Sequence, residues 1–169
     1  MPKIGLFYAS SAGNTEETAK LIKEKMSTFD IDLKNISDCV DNAMKEYDLL
    51  IFGVSTWGEG DLQDDWEDYL ANLNEENLLN KTVAIFGLGD QENYCDSFLD
   101  AMGTIYDKVV ESGATVVGSW PTDGYDFSGS TAVRDEEFVG LGVDQDNQNE
   151  LTYERVSQWI ELITPYFNK

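Results

Sequence analysis

The residues of this chain best suited to chemistry lie in short loops that follow apolar, strand-length runs. The first is within FYASSAGNTEETAKLI, Phe7 to Ile22. An apolar run ends there, Ser10, Ser11, Ala12, Gly13, Asn14 and Thr15 form a small polar loop, and an amphipathic segment begins at two glutamates. Consecutive small residues let backbone N–H groups turn inward, and a helix N-terminus behind them adds partial positive charge. The hydroxyls of Ser10, Ser11 and Thr15 and the Asn14 amide supplement those donors. Such a loop can cradle an anionic group, yet it holds no cation and lacks the G-x-x-x-x-G-K-[ST] pattern of a nucleotide-binding P-loop. The plainer reading is a helix cap, with Asn14 and Glu17 at capping-box spacing.

The second loop is STWGEGDLQDDW, Ser55 to Trp66. Its Trp57 comes directly after a buried-strand pattern and either folds back onto the core or offers its face to a flat ligand. Gly58 permits a backbone conformation closed to other residues, including a Gly58–Glu59 peptide that can turn over. The third is LGDQENYCDSF, Leu88 to Phe98, with a second loop aromatic, Tyr94. Its Gly87 and Gly89 are no dinucleotide fingerprint, because Glu92 stands where the third glycine belongs. Cys95 reads as a small buried residue rather than a reactive one. Taken together, the three loops describe an anionic group at the first and a flat aromatic body between Trp57 and Tyr94. A flavin mononucleotide (FMN) fits that description, because stacking supplies apolar area at little entropic cost.

Strands and helices must alternate to bring those loops together, and the hydrophobic pattern predicts that they do. Lys3–Ala9 reads as a buried strand, and Thr18, Leu21, Ile22, Met26 and Phe29 recur at the helical period behind it. Ile31–Ile36 is a weaker strand, and Asp48–Val54 a strong one followed by a helix through Trp66, Tyr69, Leu70 and Leu73. Thr82–Gly89 is a fourth strand, with a helix over about 97–111 behind it. Ala114–Trp120 opens a fifth, and Val156, Trp159, Ile160, Ile163 and Phe167 mark a last helix. This alternation predicts an α/β fold, a doubly wound parallel sheet with helices on both faces, in one domain over residues 1–169. The polar, Gly-rich stretch at about 119–140 interrupts the rhythm, and Leu141–Val143 resumes it, as if the fifth strand carried an insertion. In such sheets ligands sit beyond the carboxyl ends of the strands, where the three loops lie.

Composition narrows the function. Eleven Lys and Arg against 33 Asp and Glu give a net charge of −22. Nucleic acid and anionic membrane surfaces are poor partners for such a chain, and a basic protein is a good one. With no histidine, Ser–His and Cys–His nucleophile pairs are excluded and most zinc sites disfavoured. Cys39 and Cys95 form no C-x-x-C and begin no C-x5-R loop, which points to a reduced, cytoplasmic setting. No apolar run is long enough for a membrane span. From Glu46 to Asp107 there are fifteen acids and one base, Lys81, a local balance of −14 over the span that holds both aromatic loops.

These motifs, in this order and spacing, resemble the flavodoxin family over nearly the whole chain. Its phosphate signature is similar to Ser10 through Glu16, and STWGEG, FGLGDQENYCDSF and STAVRDEEFVGLGVDQDNQ resemble its other conserved segments. The insertion after Trp120 is similar to that of the long-chain branch. The resemblance implies a five-stranded parallel sheet of order 2-1-3-4-5, non-covalent FMN, and a low-potential one-electron carrier rather than an enzyme. It implies that Ser10 to Thr15 bind the phosphate and that Trp57 and Tyr94 enclose the isoalloxazine. Ser55, Thr56, Gly58, Glu59, Gly60, Leu88, Gly89, Asp90, Ser97 and Phe98 fall in the matching segments around the ring, and Asp146 lies near the ribityl chain. It further implies a monomer serving basic redox proteins, of the ferredoxin–NADP reductase type or other oxidoreductases.

Two other readings share the fold. An FMN-dependent quinone or NAD(P)H oxidoreductase needs a substrate pocket beside the flavin. A phospho-receiver domain needs an aspartate ending the third strand, where this chain has GVSTW. Ala12 departs from the family, which usually has a hydroxyl there. One hydrogen bond to a charged oxygen is worth roughly 1–3 kcal/mol. Ala12→Thr is therefore expected to tighten FMN binding in a fluorescence titration at fixed salt, and an unchanged dissociation constant would count against it.

Overall fold

In a computed structural model of the chain, residues 3–9 and 13–168 are described. The central sheet is built from β1 (Lys3–Tyr8), β2 (Asp30–Asn35), β3 (Leu49–Trp57) and β5 (Thr82–Leu88), all parallel. Leu6 of β1 stands between Leu33 and Ile51, and Ile51 in turn opposes Ala84. β1, β3 and β5 are buried on both sides and read as nearly continuous apolar runs, as expected where helices cover both faces, whereas β2 at the edge buries only Ile31 fully. Beyond β5 the edge is shared by two short parallel strands, β6 (Thr115–Val117) against its start and β10 (Leu141–Val143) against its end. The resulting order, β10-β5-β3-β1-β2, is the 2-1-3-4-5 arrangement with its last strand divided. The sheet has seven strands rather than five, because that division adds one and β4 (Asp61–Leu62) folds back antiparallel on β3.

Alternation along β5 shows the two helical layers. Phe86 meets Trp159 of α5 (Asn149–Phe167), edge to face at 6.4 Å. The next residue, Gly87, faces Met102 of α4 (Asp100–Glu111). Successive strand residues point to opposite faces, so α5 and α4 lie on opposite sides of the sheet. The helix α1 (Asn14–Lys25) packs on α5, completing that layer. On the α4 side, Phe7 of β1 and Phe52 of β3 pack edge to face, and Phe52 packs on Trp66 of α2 (Asp64–Tyr69). The Trp66 indole N–H donates to the Gly53 carbonyl at 2.8 Å, which satisfies its one polar atom inside the core.

Several elements are shorter than periodicity suggested. α1 stops at Lys25, and Met26 and Phe29 pack beyond its end. α2 stops at Tyr69, passes into a single tight turn over Leu70–Asn72, and is followed by a one-turn α3 (Glu75–Leu78). α4 begins at Asp100, because Leu99 before it is left-handed at φ 62°. The fifth strand leaves the sheet at Gly118, whose carbonyl accepts the Trp159 indole N–H at 2.8 Å.

Between β6 and β10 the chain forms a small antiparallel sheet, β7 (Trp120–Pro121), β9 (Glu137–Phe138) and β8 (Val133–Arg134), in the order β7-β9-β8. Phe138 is its anchor: the ring lies within 6 Å of those of Phe98, Tyr125 and Phe127, all buried or half-buried. The chain returns to the sheet at Gly140, where a Cβ would run into the Ile85 carbonyl. Among the described residues no helix is long and apolar enough to cross a membrane.

Candidate functional site

The loops after β1, β3, β5 and β10 converge on one cleft at the carboxyl ends of the strands, with a volume of about 290 Å³. It is lined by Asn14 and Thr15 from α1, by Ser55 to Gly58, by Leu88, Gly89, Asp90 and Tyr94, and by Gln145 and Asp146. Eleven of these twelve residues are ones the sequence singled out, drawn from four separate loops.

Each wall has a physical origin. At the first, Gly13 occupies the N-cap of α1 with φ 91°, so Asn14 is the first helical residue and the Asn14–Glu17 capping box is not formed. A glycine takes that conformation without the steric cost a side chain would meet. Asn14 and Thr15 thereby bring the positive end of the helix dipole to the cleft. Ser10, Ser11 and Ala12, the rest of the expected cradle, lie outside the described residues.

At the second wall, Thr56 and Trp57 pair with Leu62 and Asp61, closing a hairpin around Gly58, Glu59 and Gly60. Gly58 and Gly60 have φ of 51° and 101°. The Trp57 indole N–H donates to Ser55 Oγ at 3.0 Å, which holds the ring against its own strand, and Thr56 Oγ1 accepts the Ala101 N–H at the start of α4. Trp57, the last residue of β3, is 44% exposed and Tyr94, in the loop after β5, is 42% exposed, although each comes after a run of buried residues. Aromatic rings of that size left half in water, on the walls of one cleft, are free to receive a planar ligand. Trp57 is thus not folded into the core.

The third wall is held by charge and amide groups. Asp90 Oδ1 accepts the N–H of Glu92 (3.1 Å) and of Asn93 (2.9 Å) and the Asn147 amide (2.8 Å), while Oδ2 accepts the Asn93 amide at 2.7 Å. Burial works against the Asp90 charge, but those hydrogen bonds outweigh it and hold the carboxyl below the usual range. Behind it lies Asp144, fully buried, which accepts from the Gln91 N–H and side-chain amide and from the Asn147 N–H and amide. Burial, then the charges of Asp90 and Asp144, push the Asp146 carboxyl above its usual range.

Other expected residues lie elsewhere. Gly60 lines a neighbouring cavity on the far side of the hairpin, with Asp61, Asp64 and Glu67. Glu59 is exposed at the hairpin tip and does not line the cleft. Ser97 and Phe98 are buried, Phe98 within the aromatic cluster that seats the insertion. They follow Tyr94 in the chain but turn inward toward α4. Sequence reasoning missed Gln145, which lines the cleft, and Asp144 and Gln91, which brace it. A buried carboxylate closing the apolar run LGV was the one signal for Asp144.

The comparisons with known proteins fit this geometry. The family profile described as Flavodoxin matches residues 6–159. A flavodoxin of Picosynechococcus sp. is 45% identical over 168 residues, covering 99% of each chain. Flavodoxin 1 of Escherichia coli is 44% identical over 161 residues, covering 95% of this chain and 92% of its own. The crystal structure of Fusobacterium nucleatum flavodoxin bound to flavin mononucleotide superposes with a TM-score of 0.93 at 31% identity, covering 98% of this chain and 99% of that one.

The raised carboxyl of Asp146 has a consequence for stability. Its protonated form is favoured by folding, so that contribution is present below the ordinary carboxylate range and lost as pH rises through its raised value. Asp146→Asn is accordingly expected to stabilise the flavin-free protein at pH 7, by less than about 1 kcal/mol since the group is exposed. Thermal melts should show that advantage shrinking toward pH 4, and an advantage that grows on acidification would contradict the assignment.

Proposed function

Since the chain belongs to the flavodoxin family, we propose that it is a low-potential one-electron carrier holding FMN non-covalently in the cleft between Trp57 and Tyr94. The observation that carries this reading is the pair of half-exposed aromatics on one cleft whose opposite end is the N-terminus of α1. The residues present suit FMN: a flat wall for the ring, carboxylate and amide groups at Asp146 and Gln145 for hydroxyls, and a helix N-terminus for the phosphate. Bound there, FMN would accept and release single electrons.

The chain's own residues set how readily that happens. Trp57 and Tyr94, on the walls of the cleft, would exclude water from the faces of a bound ring, so that charge gained on reduction would be poorly solvated. Asp90, Asp146 and Glu59 lie in or beside the cleft and repel that charge. Two unit charges about 10 Å apart at an effective dielectric of about 20 interact by roughly 1.7 kcal/mol, so a few carboxylates lower the potential of the last electron appreciably. Gly58 supplies a different control. If its peptide with Glu59 turns over, the Gly58 carbonyl would be able to accept a hydrogen bond from a protonated flavin N5, and glycine makes the turn inexpensive.

Flavodoxins are electron-transfer proteins rather than enzymes, and the quinone-reductase alternative finds no support beyond the shared fold. We assign the chain to the long-chain branch on the three-stranded insertion between β6 and β10. Its partners in this reading are basic redox proteins, of the ferredoxin–NADP reductase type or other oxidoreductases. They meet a monomer in the cytoplasm through the acidic surface around Trp57, where Asp61, Asp64 and Glu67 line the cavity behind the indole. Free Cys39 and Cys95 accord with a reducing compartment.

The purified protein should be yellow, release stoichiometric FMN on denaturation, and pass electrons to quinone from NAD(P)H only when a reductase is added. Gly58→Val places a β-branched residue at φ 51°, a conformation that costs L-residues about 1–2 kcal/mol. That variant is expected to bind FMN and to show a smaller separation between its two one-electron midpoints in a potentiometric titration. An unchanged separation would remove the peptide turn from the account.

A further inference from the structure

A second concavity lies away from the flavin cleft, between β7 of the insertion and one face of α5, with a volume of about 580 Å³. Its floor is apolar, formed by Trp120, Leu151 and Leu162. Leu151 and Leu162 are eleven residues apart on α5, so the groove runs about 16 Å, three turns of helix. Leu162 is 45% exposed, an apolar cost with no return inside this chain.

The rim is acidic. Asp123, Glu154 and Glu161 line it, and the one cation among its described lining residues, Arg155, is engaged inward. Arg155 Nη1 donates to Gln148 Oε1 at 2.8 Å and Nη2 to the Gly124 carbonyl at 3.3 Å, and its guanidinium lies 4.0 Å from the centre of the Tyr125 ring. It is 8% exposed, so it anchors the insertion to α5, and among the described residues lining the groove no other cation faces the rim carboxylates. The edge strand beside the groove also discourages strand addition. β7 is two residues long and ends in Pro121, which has no N–H to donate. What remains is docking by side chains onto a strip of leucine and tryptophan bordered by carboxylates.

We propose that this groove docks an amphipathic helix of a basic partner protein, whose apolar stripe covers Trp120, Leu151 and Leu162 while Lys or Arg residues on either side meet Asp123, Glu154 and Glu161. Charge complementarity selects the occupant. A second copy of this chain, at net −22, would bring carboxylates to carboxylates, and an anionic membrane surface would be repelled in the same way. A helix suits the length and the leucine spacing, in the groove mode by which amphipathic helices are commonly recognised. The site is independent of the flavin cleft and leaves Trp57 and Tyr94 uncovered.

The test uses the FMN-loaded protein and two synthetic helical peptides of identical charge, one with a Leu/Lys pattern and one with serine replacing each leucine. Titrations by calorimetry at physiological salt should show the Leu/Lys peptide binding about tenfold tighter than the Ser/Lys peptide. Leu162→Lys, a change at a half-exposed helix position, should abolish that difference while the flavin spectrum stays the same. Glu154→Lys with Glu161→Lys should weaken the Leu/Lys peptide by about tenfold or more. Equal binding of the two peptides, or a leucine advantage that survives Leu162→Lys, would overturn the proposal. So would a loss of binding on Glu67→Lys at the flavin edge but not on the α5 reversals, because it would place the peptide on the general acidic field instead.

Discussion

An anionic ligand can be held by a protein of net charge −22 without a cation only if fixed dipoles do the work that lysine or arginine does elsewhere. The site is arranged around that constraint. α1 begins at a left-handed glycine, and the positive end of its dipole reaches the cleft through Asn14 and Thr15. The opposite end is served by aromatic faces, which bind a planar ring without needing charge. Acidity, concentrated over the span from Glu46 to Asp107, is then available for another purpose, to oppose electron gain.

Keeping carboxylates close together near the cleft demands dense hydrogen bonding, and Asp144 is where it is concentrated. A fully buried carboxylate is tolerable only when its oxygens are satisfied. Asp144 achieves this through Gln91 and Asn147, and each of those residues extends the network. Asn147 also donates to Asp90 at the cleft wall, and Gln91 Oε1 accepts the Asp126 N–H of the insertion at 2.6 Å. The Tyr94 loop is pinned in the same direction, with the Cys95 carbonyl accepting N–H bonds from Ser128 and Gly129. The insertion between β6 and β10 therefore braces the wall that presents Tyr94, and its aromatic cluster around Phe138 supplies the apolar anchorage.

Much of this was legible in the sequence because strand runs and loop chemistry are local signals. The parallel core strands are buried on both faces, so Leu49–Val54 and Val83–Leu88 read as apolar blocks with little ambiguity. Trp57 and Tyr94 stood out because large aromatics directly after such blocks need either a core or a ligand. What stayed hidden was non-local. Nothing in Gly118 or Leu99 announces that a Trp159 indole takes the carbonyl of one, or that the other adopts φ 62° before α4. Ser97 and Phe98 are buried, Phe98 against the ring of Phe138 in the insertion, a packing that adjacency to Tyr94 in the chain did not announce. Gln91 and Asp144 act through each other, 53 residues apart, beyond the reach of any periodicity.

The central claim is that dipoles, not cations, hold the ligand against an unfavourable protein field, and ionic strength tests it most directly. Salt screens the long-range repulsion between FMN and the acidic surface but barely touches short hydrogen bonds inside the site. The dissociation constant for FMN, measured by fluorescence titration of the flavin-free protein over increasing salt at constant pH, should fall as ionic strength rises. A dissociation constant that climbs steadily with salt would mean that a cation grips the phosphate, and it would contradict the account.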